Sequence, residues 1–203
     1  MIEYIDNSFT YFQYLSLIDR LLAEDKTTGP DQSKNRVGFG RLNRARMKRL
    51  EKTLVLEEGV RSKIAALKVD WVWLVITEGW CGDAAQNIPV IEKIASANPG
   101  IETRYILRDN NPDLMEQFLT NGARSIPKLI AVDRRSGVVL GTWGSRPRAA
   151  QILHDEQKAA GVDKPLIAEN IQRWYLADKG MSLQHEFADL AREWSKSVVA
   201  LAA

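Results

Sequence analysis

The stretch WVWLVIT, residues 71–77, constrains this chain more than any other. It carries no charge, and every residue except Leu74 is β-branched or aromatic. A run this short and this apolar reads as a central strand, and a strand covered on both faces needs helices packed over its sheet. The segments after it supply them. Residues 82–97 have helical spacing, with Ile88, Ile91, Ile94 and Ala95 inward. IETRYILR (101–108) alternates as a strand, and Pro112 opens a short helix that Gly122 closes. KLIAVD (128–133) and VVLGTW (138–143) flank Arg-Arg-Ser-Gly and read as an antiparallel hairpin. Helices are expected at 147–160, 165–178 and 182–198, with Gly161 and Gly180 as breaks. The middle order β-α-β-α-β-β-α joins a parallel βαβ unit to a hairpin. That is an α/β fold with a mixed four-stranded sheet flanked by helices.

The N-terminal third has a different character. Ser8 is placed to cap a helix over 9–24, whose apolar positions are Phe9, Phe12, Leu15, Ile18 and Leu22. DKTTGPDQSKN (25–35) is polar, holds Gly-Pro and reads as a loop. In the basic stretch 34–52 the second half reads as a helix, broken near Gly59 and resumed to Leu67. Leu42, Ala45 and Leu50 give that helix a packing side. Its charges fit a solvated face better than an anionic partner. The expected division is an N-terminal helical extension over 1–64, a core over 65–160 and a C-terminal helical extension over 161–203.

With 203 residues the chain is long enough to bury a core without disulfides or metals. It holds one cysteine, so no internal disulfide forms, which fits a reducing compartment. The early acids and the lack of a clean apolar block argue against a signal peptide, and no apolar run has the length of a membrane span. A net charge of +2 is too small to imply nucleic-acid binding. The expectation is a cytoplasmic protein with no membrane or nucleic-acid partner. His154 and His185 lie far from the cysteine and from each other, so no metal site is expected, and no cofactor is implied.

Three features meet at the end of the first central strand and beyond it. Trp80-Cys81-Gly82-Asp83-Ala84 follows the strand, Pro89 lies inside the next helix, and Ser125-Ile126-Pro127 precedes the strand KLIAV. With the element order, these make residues 65–160 resemble the thioredoxin superfamily and its WCGPC redox motif. Gly144 after the last strand fits the family's late glycine. A bacterial subgroup with WCGD and no second cysteine is the nearest likeness. The resemblance implies a thioredoxin-like fold with extra helices at both ends. It implies Cys81 as the catalytic residue, at a helix start whose free N–H groups stabilise a thiolate. Trp80, Gly82, Asp83, Ala84 and Pro89 shape the site. Arg124, Ser125, Ile126 and Pro127, with Pro127 in a cis peptide bond, form the substrate-binding edge.

The departures narrow the chemistry. Ala84 stands where the family has its resolving cysteine, and Val75 where it has a buried acid. Asp83 replaces a proline, and a carboxylate beside the thiol raises its pKa; Arg124 is the expected counter-charge. A peroxiredoxin-like site is excluded, because the position three before the cysteine is Glu78 and not threonine. Two readings stay open. In one, Cys81 performs monothiol exchange with a protein or small-molecule thiol or disulfide, and an external thiol resolves the product. In the other, the scaffold is a non-catalytic module that holds a peptide against Ile126-Pro127.

Overall fold

The computed structural model describes residues 1–201, with side chains followed to Lys196. Of the C-terminal extension expected over 161–203, residues 202–203 lie outside the described chain. Helices α1 (Ile2–Asp6), α2 (Tyr11–Ala23), α3 (Lys34–Thr53) and α4 (Glu58–Ala65) precede the sheet. Then come β1 (Trp71–Thr77), α5 (Gly82–Ala95), β2 (Ile101–Leu107), α6 (Pro112–Gln117), β3 (Lys128–Asp133) and β4 (Val139–Gly144). Helices α7 (Arg148–Ala159), α8 (Lys164–Asp178) and α9 (Met181–Leu201) complete the described chain. Among the described residues no helix is long and apolar enough to cross a membrane.

The strands form one mixed sheet in the order β2-β1-β3-β4. β1 runs parallel to β2, with Val75 beside Tyr105, and antiparallel to β3, with Val75 beside Leu129. All seven residues of β1 are buried, as a charge-free central strand requires. Helices cover the sheet with aromatic contacts. Tyr14 of α2 stacks on Tyr105 at 5.2 Å between ring centroids, and its hydroxyl lies 3.3 Å from Thr77 Oγ1. Phe187 and Trp194 of α9 meet Trp73 edge-on at 5.1 and 6.1 Å. Each such pair adds roughly 0.5–1.5 kcal/mol beyond its buried area.

The N-terminal third departs from its sequence reading in five places. The cap of α2 is Thr10, which forms a reciprocal box with Gln13, while the Ser8 hydroxyl donates to the Ile5 carbonyl at the end of α1. Phe12 is exposed, and α2 turns Tyr14, Ile18 and Leu22 inward instead. Helix α3 is continuous through Gly38 and Gly40. A Cβ on Gly40 would meet Thr27 Oγ1 at 3.0 Å, so a close approach of the neighbouring loop selects glycine there. The buried face of α3 is Val37, Gly40, Asn43, Met47 and Leu50, and Leu42 and Ala45 point outward.

The break after α3 falls at Leu54–Glu57, and Gly59 lies inside α4. The reason sits far along the chain. The buried Gln184 of α9 accepts from the Glu57 N–H at 2.8 Å and donates to the Val55 carbonyl at 3.1 Å. Both are backbone groups that the helix break leaves without helical partners.

Candidate functional site

The site grows from the turn between β1 and α5. Cys81 is the N-cap of α5; its N–H donates to the Glu78 carbonyl at 3.1 Å, and its sulfur accepts from the Ala84 N–H at 3.4 Å. On the other side the thiol donates to the Ile126 carbonyl at 3.3 Å. The residue is 8 % exposed. Burial pushes the thiol up to about 12, and the Asp83 charge adds to that, against the opposing Ala84 and Asp83 N–H groups. The helix-start donors that favour a thiolate are thus present, and desolvation outweighs them.

Asp83 is held from the segment before α7 and from α8. One carboxylate oxygen lies 2.8 Å from the Arg146 guanidinium, and the other accepts from the Tyr175 hydroxyl at 3.1 Å. Tyr175 in turn accepts from Asn87 of α5 at 2.9 Å. Burial still raises the Asp83 pKa despite the arginine. The counter-charge expected from Arg124 comes from Arg146, since Arg124 pairs with Glu116. Beside them, Gln86 of α5 donates to Gln172 of α8 at 2.8 Å.

The expected binding edge is close to the thiol and mostly covered. The Ile126–Pro127 peptide bond is cis. Ser125 is half-buried, whereas Ile126 and Pro127 are buried and the Ile126 carbonyl is engaged by Cys81. Gly144 lies against this segment with φ +135°, and a Cβ there would stand 2.2 Å from the Pro127 carbonyl oxygen. Glycine is required on both counts. Pro89 is buried inside α5 next to the apolar Ile88 and Val90.

The loop before α3 closes the site from above. Thr28 accepts from the Gly79 N–H at 2.8 Å, and Asn43 of α3 donates to the Gly79 carbonyl at 3.2 Å. Trp80 is partly buried, with the guanidiniums of Arg36 and Arg108 at 4.1 and 4.8 Å from its ring centroid. Below it, Glu78 is fully buried. One of its carboxyl oxygens accepts from the Asp109 N–H at 2.9 Å, the other makes no close hydrogen bond among the described residues, and burial raises its pKa against the opposing Thr28 hydroxyl and Asp109 N–H.

A groove of about 900 Å³ opens between α3, the Cys81–Asp83 turn and α8. Cys81, Gly82 and Trp80 lie along it, with Arg46 from α3 and Gln172 from α8 on either side. Arg46 Nη1 and Gln172 Nε2 lie 3.6 and 3.4 Å from where a Gly82 Cβ would sit. These are ordinary van der Waals separations, and they place both side chains against the backbone of the Cys81–Asp83 turn.

A thioredoxin family model matches residues 30–158, well over half of the chain. The chain belongs to the thioredoxin family. The match begins at residue 30, so α3 and the last residues of the loop before it fall inside the family's pattern. Over 71 residues the chain is 38 % identical to the protein named "Putative thioredoxin 2" of Streptomyces coelicolor. That alignment covers 35 % of this chain and 50 % of the relative, so the chain spans half the length of the curated relative it matches. Two solved structures share the fold at 16 % identity. One, the crystal structure of an HIV epitope-scaffold, has a TM-score of 0.57 over 91 % of this chain and 98 % of its own. The other, a protein of unknown function from Pseudomonas aeruginosa, has a TM-score of 0.51 over 88 % and 99 %.

Against the thioredoxin two-cysteine pattern, this family member has one sulfur at the site. Ala84 is 1 % exposed and donates its N–H to the Cys81 sulfur, with no thiol of its own to offer. Val75 is fully buried in β1 and offers no proton acceptor. Sequence reasoning missed Arg46, Arg146, Tyr175 and Gln172. None lies in a motif, and each reaches the turn from a helix or loop remote in sequence.

Proposed function

We propose that this chain is a thioredoxin-fold binding protein that works without turnover at Cys81. The observation that carries the reading is the state of the thiol. It is buried, donates its proton to the Ile126 carbonyl, and is pushed up to about 12 by burial and by Asp83. The nucleophile in thiol–disulfide exchange is the thiolate, and at neutral pH this environment suppresses it. The contact surface best supported is the groove, because it is open while Ile126 and Pro127 are covered.

A second reading has one observation in its favour: Cys81 lies along the groove, at a helix start with N–H donors aimed at its sulfur. In that reading the thiolate attacks one sulfur of a disulfide, a mixed disulfide forms, and the other half leaves as a thiolate. Incubating the folded protein with glutathione disulfide near neutral pH, followed by intact mass, separates the two. The binding reading expects unmodified Cys81 in the folded protein and a full adduct after unfolding in guanidinium with the same reagent. An adduct on the folded chain, removed by reduced glutathione, establishes monothiol exchange instead.

A further inference from the structure

We propose that the groove between α3, the Cys81 turn and α8 binds a small amphipathic organic anion: an apolar or aromatic body bearing a carboxylate, sulfonate or phosphate. The inference deepens the binding reading and rests on it. Its first support is size. A cavity of about 900 Å³ falls within the roughly 300–1,000 Å³ typical of small-molecule sites.

The second is charge. Arg36, Arg46, Arg146, Lys158 and Lys164 line the groove, against the carboxylates of Asp83 and Glu169. Both carboxylates are already engaged, Asp83 by Arg146 and Glu169 by Arg173 at 2.7 Å. Arg36 is paired with Asp31 at 3.3 Å. Arg46, Lys158 and Lys164 have no carboxylate partner among the described residues. The whole chain has a net charge of only +2, so this excess belongs to the groove and not to the surface at large. A cleft lined by one sign of charge focuses its field and draws in the opposite sign.

Arg46 marks where the anionic group goes. Its guanidinium donates to Asn43 Oδ1 at 2.9 Å and stands beside Gly82 at the groove floor. It is half-buried, and burial first and then the Arg49 charge lower its pKa, against the opposing charge of Asp83. A half-buried guanidinium with no direct ion pair among the described residues is costly in that position, and a bound anion offsets the cost. The walls explain the rest of the ligand. Phe39 of α3 is 45 % exposed, and the largely buried Ile167 and Ile171 of α8 line the same groove. The apolar body lies along these side chains, with its charge toward Arg46.

The test uses the full chain and the fluorescent anion 1-anilinonaphthalene-8-sulfonate, with the uncharged N-phenyl-1-naphthylamine as the matched neutral probe. The anion should bind one site per chain and more tightly than the neutral probe. Raising the salt to about 0.5 M should weaken the anion selectively. Arg46→Ala should weaken anion binding by at least about tenfold and leave the neutral probe within about twofold. Lys158→Glu with Lys164→Glu changes two exposed residues, keeps the test valid if Arg46→Ala unfolds, and should act in the same direction. Lys93→Ala, outside the groove, should have no effect. Equal binding of both probes, no response to any groove substitution, or tighter binding of an acidic hexapeptide than of the dye would overturn the proposal. None of these readings depends on Cys81 forming an adduct. Failure here is therefore distinct from failure of the non-catalytic reading.

Discussion

Arg146 stands 2.8 Å from the Asp83 carboxylate, with their side chains only 20 % and 13 % exposed. The pair ties the segment before α7 to the first turn of α5, and Tyr175 of α8 completes it. Removing one partner of such a pair leaves a charge in a site built for two. Arg146→Ala should therefore lower stability by about 3 kcal/mol in denaturant unfolding. Asp83→Asn should cost less, because the neutral amide oxygen still accepts from Tyr175 and the arginine borders the open groove.

Gly144 and Gly161 make a matched test of steric demand. Both have positive φ, but a Cβ on Gly144 would lie 2.2 Å from the Pro127 carbonyl oxygen, while nothing stands within 4 Å of one on Gly161. Gly144→Ala should cost more than about 3 kcal/mol, and Gly161→Ala about 1 kcal/mol, the conformational term alone. Equal losses in thermal or denaturant unfolding would mean that the cis-proline segment yields easily.

Much of the core fold was legible because its signals are local. WVWLVIT has no charge and is buried throughout, and the hairpin strands flank a turn sequence. The position of Cys81 at a helix start was legible for the same reason. Its chemical state was not, because what counts is burial and the surroundings of the turn. The helix break at Leu54–Glu57 is held by Gln184, 127 positions from Glu57. Tyr175 reaches Asp83 across 92 positions. Arg146 replaces Arg124 as the counter-charge although Arg124 is nearer to Pro127 in sequence. Long-range partners of this kind leave no periodicity or spacing to read.

Glu78 sets a pH dependence. Its pKa is raised above the ordinary 4.5 by burial, so between 4.5 and the folded value the native chain holds a proton that the unfolded chain has released. Stability from this group is therefore greatest at low pH within that window and falls as pH rises through the folded pKa. Glu78→Gln should flatten this part of the stability profile, leaving the contributions of Asp83 and Glu92, which are raised in the same direction. An unchanged profile would show that Glu78 titrates as an ordinary exposed carboxyl.

The central claim is that Cys81 is held as a thiol, and the most direct measurement is its ionisation in the folded protein. The only cysteine of the chain gives the thiolate absorbance, so a titration from about pH 6 to 10 needs no label. The account predicts no thiolate signal in the folded protein below about pH 10, with the guanidinium-unfolded chain titrating near the free value of about 8.5. A folded-state midpoint at or below about 8.5 would contradict it. The helix-start donors would then have outweighed burial, and Cys81 would be a competent nucleophile.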